Sequence, residues 1–100
     1  MRILYQEEGN GFLGISLDKE LDIFVLHVDL KIWSVSEYKR YLKVFGFYLN
    51  ILKESGIKEV FSFCDSPKEE KFNKLFGFQE TGLEAEDSEG IKSTILRLEL

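Results

Sequence analysis

The sequence predicts an α/β domain: a twisted, mostly antiparallel sheet of about six strands, with a central parallel pair and two helices. Short runs of strand-forming residues recur between clusters of turn residues. Two longer stretches carry apolar residues at helical spacing, and each starts with a capping box and ends at a glycine. The helices follow the third and fourth strands, so these strands are expected to be parallel neighbours. Residues 1–100 contain no linker-like segment, which predicts one domain.

Three strands are expected before the first helix. Arg2 to Gln6 and Phe12 to Asp18 flank a turn-rich segment, where Gly9 and Gly11 can take positive φ as in a hairpin. Ile23 to Leu30 is the most apolar run, which is typical of a central strand. Its side chains alternate between the two faces, and one face becomes polar toward the end of the strand.

The first helix is expected over residues 35–54. Ser34 and Glu37 form a capping box at its start, and Ser55-Gly56 ends it. The inward stripe repeats at helical spacing and comprises Tyr38, Leu42, Phe45, Leu49 and Leu52.

The rest of the chain predicts a strand, a short helix and two further strands. Lys58 to Cys64 is a compact strand, and Ser66 to Glu69 is a second capping box with proline at the first helical position. Gly77 stops this helix, and strands follow at Phe78 to Glu84 and Lys92 to Leu100. Right-handed crossovers place both helices on one face of the sheet, so the other face is open or covered by a partner.

Composition narrows the function classes. A 44% hydrophobic and 31% charged chain is typical of a folded globular domain, and the net charge of −5 disfavours nucleic-acid binding. One cysteine and one histidine exclude an internal disulfide and argue against a structural zinc site. We see neither a signal peptide nor an apolar run of about 20 residues, so no membrane association and a cytoplasmic location are expected.

Residues 66–82, SPKEEKFNKLFGFQETG, resemble the fourth-helix region of the GNAT N-acetyltransferase superfamily, most specifically at Phe72 and Gly77-Phe78. Three more segments are similar in order and length to the family's acetyl-CoA-binding half: the strand at 23–30, the helix at 35–54 and the strand at 59–64. The resemblance implies a GNAT-like fold in which the acyl group of acetyl-CoA lies between the two parallel strands.

The chain departs from the family where the cofactor is held. The family's glycine-rich loop, whose amides approach the pyrophosphate, falls on Lys31–Ser36, which contains no glycine. Glu37 follows in the first helical turn, where a carboxylate repels phosphate. The family's proton-donating tyrosine aligns with Asn73, whose amide has no titratable proton. The asparagine before the family's fourth helix aligns with Ser66, and the alanine packed near the cofactor aligns with Glu69.

A basic cluster near the start of the first helix is a candidate for cofactor binding. Its members lie on one arc of the helix or just before it: Lys31, Ser34, Ser36, Lys39, Arg40 and Lys43. Such a cluster at a helix N-terminus can hold a phosphate or an acidic partner surface. The alternative interpretation is a solvated helix face.

Candidate catalytic residues lie on the two central strands. His27 and Asp29 are expected on the open face of the third strand, with Ser62 and Cys64 beside them on its parallel neighbour. His27 near Asp29 can act as a general base, and Cys64 can act as a nucleophile if its pKa is lowered. The alternative is a packed histidine and a buried, inert cysteine.

Apolar residues outside the main stripe of the long helix are a candidate interface: Val44, Phe47 and Ile51, with Trp33 just before the cap. They predict a protein partner or a homodimer, unless the short helix or the acidic loop covers them. Trp33 is either an exposed anchor of that interface or a hydrophobic staple.

Two functions stay open from the sequence. The first is a non-catalytic GNAT-like protein that binds a protein partner, without a cofactor or a metal. The second is a small N-acyltransferase that uses acetyl-CoA through a non-standard loop, with the basic cluster in place of the glycine amides. The family's first two helices, which often shape the acceptor site, are reduced here to a turn at Glu7–Gly11.

Overall fold

The computed structural model describes residues 1–31 and 34–100 of the chain. Its elements are β1 (Arg2–Glu7), β2 (Gly11–Asp18), β3 (Ile23–Leu30), α1 (Val35–Glu54), β4 (Glu59–Cys64), α2 (Pro67–Leu75), β5 (Gln79–Glu86) and β6 (Lys92–Glu99). This is the element order that the sequence predicts. Within the described ranges, no helix is long and apolar enough to span a membrane.

The strands form one mixed sheet in the order β1-β2-β3-β4-β6-β5. β3 and β4 run parallel, and the other neighbouring pairs are antiparallel. α1 is the crossover between the two parallel strands, and β6 lies between β4 and β5. The predicted fold class, with a central parallel pair in a mostly antiparallel sheet, is therefore confirmed.

The hydrophobic core lies between the sheet and the helices. Tyr41, Phe45 and Leu52 of α1 are buried in one cluster with residues of four strands: Leu13, Ile15, Leu26, Val60 and Leu96. Phe72 of α2 packs against this cluster, and the ring of Phe76 lies 5.0 Å from that of Phe45 between centroids. Both helices therefore cover the same face of the sheet.

The inward stripe of α1 differs from the predicted one at Leu42, which stays 37% exposed. Tyr41 is buried in its place, and its ring meets the Tyr5 ring of β1 edge to face, with centroids 6.4 Å apart. The Tyr48 ring also packs against the Tyr5 ring, with centroids 5.8 Å apart. These aromatic contacts turn the buried side of α1 toward β1.

Both helices begin and end where the sequence predicts. The Ser34 and Ser66 side chains accept a hydrogen bond from the glutamate amide three residues later, at 3.1 and 3.2 Å. Gly56 and Gly77 follow the helices with φ of 94° and 100°, the left-handed conformation that glycine adopts readily.

β3 and β4 diverge toward their carboxyl ends. Among the residues that the structure describes, Val25 and Phe61 are the one pair in parallel register, although β3 continues to Leu30 and β4 to Cys64. On its other side, β3 pairs with β2, and β4 pairs with β6 along its whole length. The divergence opens a space at the carboxyl ends of β3 and β4, beside the start of α2.

Candidate functional site

A cleft of about 580 Å³ lies between the diverging ends of β3 and β4. Residues 25–30 form one wall, residues 62–63 form the other, and the first turns of α2 close one side. The volume is within the roughly 300–1,000 Å³ range of small-molecule sites. The sequence predicts a ligand cleft at this position, because ligands bind beyond the carboxyl ends of parallel strands.

The cleft is lined by both apolar and charged side chains. The apolar residues are Phe12, Val25, Leu26, Val28, Leu30, Phe63 and Phe72. The charged residues are Asp29, Asp65, Glu69 and Lys68. Carboxylates thus outnumber cationic side chains, which disfavours a phosphate ligand. Within the two described ranges, no cluster of His, Cys, Asp and Glu is arranged to hold a metal ion.

His27 lies on the face of the sheet that the helices leave uncovered. Its Nε2 atom is 2.8 Å from the Ser16 hydroxyl of β2. Burial, with a smaller contribution from the N-terminal amino group, lowers the pKa of His27. The imidazole is therefore neutral at neutral pH. Asp29 is exposed on the same face and lines the cleft with it.

Ser62 and Cys64 do not project from the same face of the sheet as His27 and Asp29, although Ser62 also lines the cleft, and this part of the sequence prediction is wrong. The pairing of Val25 with Phe61 places Phe61 and Phe63 on the His27 face. Ser62 and Cys64 therefore point toward the helices, where Cys64 belongs to the hydrophobic core.

The Cys64 thiol is enclosed. It is 2% exposed, and Asn73 donates a hydrogen bond to its sulfur at 3.4 Å. Burial, the largest cause, raises its pKa. The thiol is therefore protonated at neutral pH, which favours the inert cysteine over the nucleophile.

Within the basic cluster, Arg40 is held in ion pairs with two glutamates. Arg40 donates to Glu37 at 2.6 Å and to Glu7 at 2.8 Å through Nη2, and its Nη1 contacts Glu7 as well. Hydrogen bonds from Arg40 are the main cause that lowers the pKa of both glutamates. Asn10 adds hydrogen bonds to Glu7 at 2.9 Å and Glu37 at 3.2 Å. We call these four side chains the hairpin network.

The other members of the predicted cluster lie apart from the cleft between β3 and β4. Lys31, Lys39 and Lys43 are exposed, and Lys31 borders a separate hollow against the β1–β2 turn. The Ser34 hydroxyl caps α1 and lies 3.1 Å from that of Ser36. The structure does not gather these residues into one anion site.

Sequence reasoning missed Glu7, Asn10 and Asp65. The sequence predicts Glu7 and Asn10 as part of a turn, because nothing local indicates that they reach α1. Asp65 follows the last residue of β4 and lines the cleft. A polar residue just after a parallel strand is a signal that could have identified it.

The predicted apolar row on α1 is accessible to solvent. Phe47 is 62% exposed and Ile51 42% exposed, while Val44 is half-buried. The Phe47 ring packs only on Tyr48 among the described aromatic contacts, edge to face at 5.2 Å. Trp33, the fourth predicted member, lies outside the described residues.

In comparisons with known proteins, no family model, no curated protein and no solved structure matches this chain. The resemblance to GNAT acetyltransferases therefore stays a prediction that rests on the residues given above.

Proposed function

We propose that this chain is a non-catalytic protein-binding domain with a GNAT-like scaffold that has lost acetyl-CoA binding. The observation that supports it most is the state of Arg40. Its guanidinium is held by Glu7 and Glu37 at the start of α1, where the family binds the pyrophosphate. A phosphate arriving there meets two carboxylates and no free guanidinium, so it is repelled.

The surroundings of Asn73 support the same proposal. Asn73 stands where the family has its proton-donating tyrosine, and its amide donates to Cys64 Sγ and to the Glu69 carbonyl at 2.8 Å. An amide bound in this way cannot protonate a leaving thiolate. The free Cys64 also fits the cytoplasmic location that belongs to this proposal.

A titration with acetyl-CoA, followed by thermal unfolding, tests the loss of cofactor binding. A ligand at 100 times its Kd adds about 2.7 kcal/mol to the free energy of unfolding, which raises Tm by roughly 10 °C or more. We expect no change at millimolar acetyl-CoA. A known acetyl-CoA-binding protein under identical conditions is the positive control, and a saturable rise in Tm would contradict the proposal.

The exposed row on α1 is the proposed contact with a second copy or another protein. Phe47 and Ile51 are one helical turn apart on the solvent side of α1, and a charge between packed apolar surfaces is costly. We expect Phe47→Glu to convert a dimer into a monomer in sedimentation equilibrium. Lys53→Gln makes the same change in charge at an exposed position about 120° around the helix from Phe47, and as the control it should leave the association unchanged. A wild-type monomer at high concentration would rule out the dimer.

A second candidate function is an acetyl-CoA-dependent N-acyltransferase with a non-standard cofactor loop. The cleft between the parallel strands β3 and β4 favours it, because the resemblance implies the acyl group there. Lys31, Lys39 and Lys43 would then contact the phosphates, since Arg40 is already paired. Release of free coenzyme A thiol with a panel of primary amines measures this activity. Turnover that disappears in Lys39→Ala would favour the enzyme over the binding domain.

A further inference from the structure

The cleft between β3 and β4 presents two facing strand edges. β2 pairs with β3 from Ile23 to Leu30, and β6 pairs with β4 from Glu59 to Cys64. Between β3 and β4 themselves, Val25 and Phe61 are the one pair in register among the described residues. Alternate backbone N–H and C=O groups beyond that pair therefore point into the cleft without a strand partner.

An extended peptide is the ligand that such edges accept. It can exchange backbone hydrogen bonds with one or both edges, as in β-strand addition, while its alternate side chains point to opposite faces of the sheet. The cleft supplies apolar surface for those side chains at Phe63, Phe72 and Leu30. A compact or flat ligand would leave the strand edges unpaired.

The charges around the cleft select among extended peptides. Asp29, Asp65 and Glu69 line it against one cation, Lys68, and the chain as a whole carries a net charge of −5. An excess of carboxylates around a low-dielectric cleft attracts a cationic ligand and repels an anionic one. Lysine or arginine side chains on the peptide satisfy this preference.

We propose that the cleft between β3 and β4 binds a short, extended segment of a partner protein that carries lysine or arginine, by β-strand addition. The inference rests on the proposed function, because an acyl-CoA-dependent enzyme would need the same cleft for its cofactor. The cleft would be a second contact surface, separate from the exposed row on α1, because that row contributes no residue to the cleft.

The test uses a fluorescein-labelled octapeptide of alternating valine and lysine and the full chain. Fluorescence anisotropy should show saturable binding, and amide chemical shifts should change at residues 27–30 and 62–64. Two comparison peptides separate the contributions: one has glutamate in place of lysine, and the other has N-methylated backbone at alternate residues. Each should bind with an affinity at least about tenfold lower. The glutamate peptide loses the charge attraction, and the N-methylated peptide loses backbone hydrogen bonds.

A pair of variants tests the location. Asp29→Asn removes an exposed carboxylate of the cleft and should weaken binding about two- to fivefold. Glu89→Gln removes an exposed carboxylate in the β5–β6 turn and should leave the affinity unchanged. Both variants alter one surface charge equally, so a difference between them reports the site.

Several results would overturn the inference. They are equal binding of the N-methylated peptide, shift changes confined to Val44, Phe47 and Ile51, and no saturable binding at millimolar peptide. These results leave the proposed function intact if acetyl-CoA also fails to bind. A saturable Tm rise with acetyl-CoA instead overturns the proposed function itself, so the two failures are distinguishable.

Discussion

The β1–β2 hairpin and the cleft between β3 and β4 lie at the same end of the sheet, but their polar groups are satisfied to different extents. In the hairpin network, Arg40 and Asn10 donate to both Glu7 and Glu37. In the cleft, the facing backbone edges of β3 and β4 are paired at one position within the described residues. The hairpin network thus pairs its hydrogen-bond donors and acceptors internally, whereas the cleft leaves backbone donors and acceptors available to a ligand.

This comparison shows that a count of charges is a poor guide to a binding site. The sequence places its densest basic cluster on α1, yet Arg40 is already bound by two carboxylates there. The cleft has fewer basic residues but retains groups that a ligand can satisfy. Function is therefore expected where polar groups lack partners, since a saturated network offers a ligand nothing to replace.

The largest effect is expected at Gly11, where the hairpin meets the end of β3. A Cβ atom at this position would lie 1.8 Å from the Asp29 carbonyl oxygen, so β2 must move away from β3. We expect Gly11→Ala to lower the free energy of unfolding by about 3 kcal/mol or more, measured by urea denaturation.

The matched control is Gly46→Ala in the middle of α1. Apart from its chain neighbours and the backbone of its own helix, no heavy atom lies within 4 Å of a Cβ built there. Helix propensity should therefore raise the free energy of unfolding by about 0.5–1 kcal/mol. Similar values for the two variants would show that the hairpin does not press against β3.

The next effect is expected at Asn10, the buried amide of the hairpin network. Asn10→Ala removes its hydrogen bonds to Glu7 and Glu37 and should lower the free energy of unfolding by about 1–3 kcal/mol. Asn50→Ala, on the exposed side of α1, is the comparison and should change it by less than about 0.5 kcal/mol. Equal losses would mean that the network is ordinary surface.

The acid sensitivity of the protein should depend on Arg40. Hydrogen bonds from Arg40 lower the pKa of Glu7 and Glu37 below their ordinary value of 4.5. Their stabilising contribution is therefore complete above about pH 4.5 and is lost as pH falls through the lowered values. Arg40→Met should flatten this acid loss in urea denaturation between about pH 7 and about pH 3. Parallel pH curves for wild type and variant would contradict this role for Arg40.

The smallest effect on stability is expected in the cleft. Asp29 is exposed there, and Asp29→Asn should change the free energy of unfolding by no more than about 0.5 kcal/mol. Urea denaturation provides the measurement. A loss as large as that of Asn10→Ala would show that the cleft carboxylates support the fold and are not available to a ligand.

Much of the fold could be predicted because its signals are local. The capping boxes at Ser34 and Ser66, and the glycines at positions 56 and 77, set the helix ends. The alternation in β6 identifies the inward face, where Leu96 is fully buried. Each of these features depends on residues that are close together in the sequence.

The faces of β4 could not be predicted, because register between parallel strands has no local signal. β3 and β4 are joined by the long helix α1, so their alignment depends on how that helix packs. A shift of one residue exchanges the two faces of a strand, and such a shift separates the predicted position of Cys64, beside His27, from the observed one. The pairing of Arg40 with Glu7 was missed for the same reason, since it joins the hairpin to a helix that is distant in sequence.

Native-state amide hydrogen exchange tests the contrast between the two regions most directly. In residues 27–30, backbone amides directed toward β2 should exchange slowly, and the alternate amides directed toward β4 should exchange fast. The backbone amide of Asn10 donates to the Glu7 carbonyl at 3.1 Å and should be protected. Slow exchange at every amide from residue 27 to residue 30 would show that the cleft is closed and would contradict the account.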